Sequence, residues 1–95
     1  MIKHVVFFKL EDKSAENIEK ARSTLMGMDG KISELKHIEV GVDIVHSNES
    51  YDIALLTSFD NIEGLEAYRI HPEHIKVREY MLSVGEFVVV DYESA

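Results

Sequence analysis

Apolar side chains fall into four extended stretches along this chain, separated by segments whose apolar residues recur at helical spacing. In "IKHVVFFKL" (2 to 10), Ile2, His4, Val6, Phe8 and Leu10 share one parity while Val5 and Phe7 occupy the other, so the middle of this strand is apolar on both faces. The segment that follows changes period: Ile18, Ala21, Leu25 and Met28 form a stripe, Ser14 stands at the N-cap position and Gly30 follows as a stop signal, which predicts a helix over 15 to 28. "LKHIEVGVDIV" (35 to 45) alternates strictly, with Ile38, Val40, Val42 and Ile44 opposite His37, Glu39, Gly41 and Asp43. A polar turn at 46 to 50 leads into a third strand at 51 to 59, which predicts an antiparallel hairpin.

Asp60 with Glu63 three residues on predicts a capping box for a short helix carrying Ile62, Leu65 and Tyr68. The only proline then breaks the pattern. His71 precedes it and is pushed out of the helical region, whereas Pro72 suits the first turn of a new helix over 72 to 84, with Gly85 as its stop. The last strand is "EFVVVDYE" (86 to 93), where Val88, Val90 and Tyr92 oppose Phe87, Val89 and Asp91. The order strand, helix, strand, strand, broken helix, strand is that of one α+β domain of ferredoxin-like type over residues 1 to 95, an antiparallel four-stranded sheet with helices on one face.

Helices on one side cover one face of such a sheet, and a face left to water alternates to polar residues. The first and last strands break that rule, because their middles are apolar at both parities, Val5 and Phe7 beside Val6 and Phe8, and Phe87 and Val89 beside Val88 and Val90. A contiguous apolar patch on a lone subunit is a liability. The pattern therefore predicts a two-fold homodimer with its sheets face to face, a dimeric α/β barrel; scattered exposed apolar residues are the plainer alternative.

Composition narrows the chemistry. Eighteen acidic against ten basic residues give a formal charge of −8 with no basic cluster, which argues against nucleic acid as a partner. No cysteine is present, removing thiolate ligands and cysteine nucleophiles. No run is long enough for a membrane span, and the early charges in "MIKHVVFFKLEDK" do not suit a secretory signal, so a cytoplasmic location is expected. No phosphate loop, dinucleotide fingerprint or Ser/His/Asp pattern occurs, and no cofactor is expected.

The stretches "HVVFFKL", "IEVGVDI", "YDIALLTSFDNIEGLEAYRIHPEH" and "VVVDYE" together resemble the stress-responsive dimeric α/β barrel (Dabb) family over nearly the whole chain. The most specific segment runs from Tyr68 to His74 around a His-Pro-x-His core. The resemblance implies a homodimer with a cleft between each sheet and its helices. It also includes a plant branch of polyketide cyclases that perform a cofactor-free aldol condensation with a tyrosine and two histidines; the matching positions are Tyr68, His74 and His4.

Each of these three has a structural and a functional reading. His74, third in the helix from Pro72, is either a first-turn surface histidine or a neutral general base, since the positive end of the helix dipole disfavours its charge. Tyr68 is either a core-edge aromatic with its hydroxyl in water or a donor to a developing enolate. His4, in an apolar strand, needs a hydrogen-bond partner if buried, or orients His74 or substrate. His71 is assigned to the turn. A metal on His4, His71 and His74 is disfavoured because the proline break separates the pair.

Three functions follow. The first is a dimeric barrel that binds a small apolar or aromatic molecule. The second is a cofactor-independent lyase or polyketide cyclase with His74 as base, Tyr68 as donor and His4 in support. The third, on fold alone, is a cofactor-free monooxygenase.

Overall fold

A computed structural model describes residues 1–95. The first apolar stretch forms β1 (Ile2–Leu10) and the stripe that follows forms α1 (Ala15–Met26), capped by Ser14, whose side chain accepts from the Asn17 N–H. β2 (His37–Val42) and β3 (Ile53–Phe59) make the hairpin; α2 (Ile62–Arg69) and α3 (Pro72–Val84) flank the proline break; β4 (Gly85–Glu93) closes the chain. The sheet order is β2-β3-β1-β4, and every neighbouring pair is antiparallel. This is the ferredoxin-like arrangement that the order of elements predicts.

Parity decides what is buried. Ile2, His4, Val6, Phe8 and Leu10 of β1 are buried together with Ile53, Leu55, Thr57 and Phe59 of β3. They pack against Ala21 and Leu25 of α1, Leu65 and Tyr68 of α2, and Val77 and Met81 of α3. Full burial of one such large apolar side chain contributes about 1.5–3 kcal/mol. On the opposite face Phe7 is 42% exposed, Leu56 39%, Val88 48% and Val90 54%. Val5 pairs with Leu56 on one side and Val90 on the other, and Phe7 with Ala54 and Val88, so the exposed side chains form one contiguous apolar area.

Four boundaries differ from the sequence expectation. α1 ends at Met26 rather than 28; a turn follows in which Gly30 adopts φ +80°, so its glycine serves the turn, not the helix end. The hairpin strands are shorter than the alternation suggests, because the Asp43 side chain accepts from the His46 N–H at 2.7 Å and His46 takes φ 58°. Ile44 and Val45 are thereby left 88% and 71% exposed in the connection. The N-cap of α2 is Asn61, not Asp60, with its Oδ1 accepting from the Gly64 N–H at 2.9 Å. Gly85 is extended, at φ 179°, and is not a left-handed helix stop. A Cβ there would collide with the Lys9 carbonyl oxygen where β4 first meets β1.

Candidate active site

The proline break sets the site. His71 is the N-cap of α3, its Nδ1 accepting from the Glu73 N–H at 3.1 Å. That bond commits His71 to the helix start, as its structural reading requires, and leaves the next histidine on the inner side of the first turn. His74 is half-buried, and its Nδ1 lies 3.1 Å from the carbonyl oxygen of Arg69, the last residue of α2. A carbonyl only accepts, so Nδ1 carries the proton and donates it. Nε2 makes no hydrogen bond to the protein and keeps its lone pair. Burial is the leading cause that holds the His74 pKa below the usual 6.5, opposed by the Arg69 carbonyl and assisted by the charges of His4, Arg78 and Arg69. The side chain is a neutral base in the state that accepts a proton at Nε2.

Tyr68 sits between the two histidines. Its ring centroid is 4.2 Å from that of His74 and 5.7 Å from that of His4, the latter edge-on, and it packs 4.9 Å from Phe59. The side chain is fully buried, which corrects the expectation of a hydroxyl in water. The hydroxyl donates only to the Met28 sulfur, at 3.8 Å, a weak acceptor. Burial raises the Tyr68 pKa well above 10, so the proton stays on oxygen throughout the physiological range.

His4 finds the partner that its burial demands. Its Nδ1 pairs with the Asp91 carboxylate on the neighbouring strand, where the two residues stand directly opposite each other in the β1–β4 register. Asp91 is a site residue that the sequence reading missed. The signal was present in the parity it shares with Phe87 and Val89, but it becomes legible only once β4 is paired with β1.

These groups border one cavity of about 380 Å³ between the sheet and the helices. Val6, Phe8, Leu25, Leu55 and Met81 are among its apolar lining residues, and His4, Tyr68, His74 and Asp91 are among those that carry polar groups. Arg69 and Arg78 stand on its border, and sequence reading missed these too. All three residues singled out in the sequence thus converge on one cleft. No group of three or more His, Asp or Glu side chains is arranged to hold a metal ion, and His71 is absent from the cavity lining.

Comparison with known proteins follows the same lines. The family model described as Stress responsive A/B Barrel Domain matches residues 2–94. Olivetolic acid cyclase from Cannabis sativa is 26% identical over 95 residues, covering 96% of this chain and 94% of the relative. A dimeric protein of unknown function and ferredoxin-like fold from Bacteroides fragilis superposes with a TM-score of 0.80 at 32% identity, covering 98% of this chain and 95% of the other. A dimeric ferredoxin-like protein of unknown function from Thermobifida fusca gives a TM-score of 0.86 at 25% identity, covering 98% and 90%.

Proposed function

Because this chain belongs to the stress-responsive A/B barrel domain family, we propose that it acts as a homodimer whose clefts each bind a small, largely apolar carbonyl compound and move a proton on it with side chains of the protein alone. The observation that carries this reading is the state of His74: Nδ1–H donates to the Arg69 carbonyl, burial favours the neutral ring, and the free Nε2 belongs to a side chain bordering the cleft. Such a base suits a carbon acid between two carbonyls.

The reaction class is the intramolecular aldol type of a polyketide cyclase. His74 Nε2 takes a proton from the activated carbon, and the electron pair moves onto the adjacent carbonyl oxygen. Tyr68 exchanges its weak sulfur contact for that enolate oxygen, a far stronger acceptor. The enolate carbon then forms a bond to a second carbonyl carbon of the same molecule, whose oxygen receives the proton from His74; loss of water follows. His4, whose Nδ1–H is held by the Asp91 carboxylate, keeps Nε2 as an acceptor for a substrate hydroxyl. The 26% identity to a cyclase over nearly the full length of both chains favours this reading over binding alone.

The homodimer is supported by the apolar outer face and by the dimeric proteins of the same fold. Two sheets packed face to face bury Phe7, Leu56, Val88 and Val90, which a lone subunit leaves in water.

Turnover of a linear polyketide-like ester, followed by mass spectrometry of the cyclised product, tests the assignment. His74→Gln is expected to abolish product and Tyr68→Phe to cut it by about 10²-fold or more, while the dimer persists. Unchanged turnover in His74→Gln overturns the role of the base; retention of such esters by the wild type without any turnover leaves a binding module.

A further inference from the structure

The chain carries three arginines. Arg22 is locked to Glu19 on the surface of α1, with Nη2 to Oε1 at 2.6 Å. The other two, Arg69 and Arg78, form no ion pair with any of the eighteen acidic side chains. Both border the same cleft. Arg69 ends α2; Arg78 lies one helical turn beyond His74 in α3, with its guanidinium carbon 5.8 Å from the centroid of Phe87 on the cavity wall. In a chain of net charge −8, two exposed and unpaired guanidinium groups at one apolar cavity are the reverse of the surrounding surface.

We infer that the ligand of this cleft carries an anionic head group, with its apolar or aromatic body in the cavity and its charge held at the border by Arg69 and Arg78. This inference rests on the cleft-binding reading above and names the class of compound that the cleft takes. The planar guanidinium fork matches a carboxylate, and the bond is charge-assisted. The remaining polar groups do not cancel the attraction: the Asp91 carboxylate is turned onto His4, and His74 and Tyr68 are neutral at physiological pH. Two unpaired cations at the border also attract an anion toward the cleft in an otherwise acidic chain. A volume of about 380 Å³ admits a substituted benzene ring with a short alkyl chain.

The probes are 4-butylbenzoate and its neutral isostere 4-butylbenzamide, titrated calorimetrically against the wild type and an Arg69→Gln/Arg78→Gln double variant. The benzoate is expected to bind the wild type roughly tenfold or more tightly than the amide, with the advantage shrinking as salt rises. The double variant is expected to lose the advantage while binding the amide as before. Lys36→Gln, which removes a charge paired with Asp60 away from the cleft, should keep it. Equal binding of both probes to the wild type, or an advantage that survives in the double variant, overturns the anionic head group while sparing the cleft. Binding of neither probe removes both readings.

Discussion

His4 of β1 and Asp91 of β4 face each other across the sheet and join through Nδ1 and Oδ1, which fixes the imidazole at the floor of the cleft. The His4 side chain is 11% exposed and that of Asp91 33%, so water cannot simply replace the carboxylate around the ring. Asp91→Ala is expected to lower stability by about 1–3 kcal/mol, because it leaves a buried imidazole nitrogen without its charged partner. Asp91→Asn keeps an acceptor and should cost less. Urea unfolding at fixed protein concentration measures both, since the stability of a dimer depends on concentration.

Tyr68→Phe separates packing from chemistry. The hydroxyl has only the Met28 sulfur as partner, so its removal should change stability by less than about 1 kcal/mol. Turnover should nevertheless fall by about 10²-fold or more if the hydroxyl donates to the enolate. A stable variant with wild-type turnover would remove Tyr68 from the mechanism.

The depressed pKa of His74 makes stability depend on pH in a definite direction. The unfolded chain binds a proton on this residue near pH 6.5, whereas the folded chain resists it until lower pH. The contribution is therefore fully present above about pH 6.5 and is lost as pH falls through the folded value. The groups around His74 are His4, Tyr68, Asp91, Arg69 and Arg78. Asp52, whose carboxylate is held below 3.8 by Lys13 and the Leu10 N–H against its burial, acts only at lower pH. Unfolding curves between pH 7.5 and 5.5 should show a decline in the wild type that His74→Gln reduces.

The outer face gives a prediction about assembly. The wild type should sediment near twice its chain mass of 10.9 kDa at micromolar concentration. Val90→Lys places a charge within the apolar area beside Val5, and should release the monomer. A wild type that sediments as a monomer would contradict the paired barrel.

The succession of elements, the side of the sheet that the helices cover and the doubly apolar strands were legible because parity and helical period are written in adjacent residues. Tyr68, His74 and His4 were singled out by the resemblance of the first strand and of the segment around Pro72 to the family; position alone left each with an ordinary structural reading. Asp91 was not singled out, because its role is created by the β1–β4 register, a relation between residues far apart in the chain. Arg69 and Arg78 were hidden for a similar reason: on a helix surface they look like solvated charges until the cavity beside them is seen. Gly85 misled in the opposite sense, since a glycine after a helix suggests a left-handed stop, whereas here the missing Cβ makes room for the Lys9 carbonyl.

The functional reading depends on one imidazole being neutral, with its proton on the nitrogen nearer the backbone. Two-bond ¹H–¹⁵N spectra of the histidine rings, assigned through His74→Gln, read that state directly at pH 7. The expected result is a neutral His74 with Nδ1 protonated and Nε2 bare. A charged ring, or a neutral ring with the proton on Nε2, would contradict a base that faces its substrate with a free lone pair.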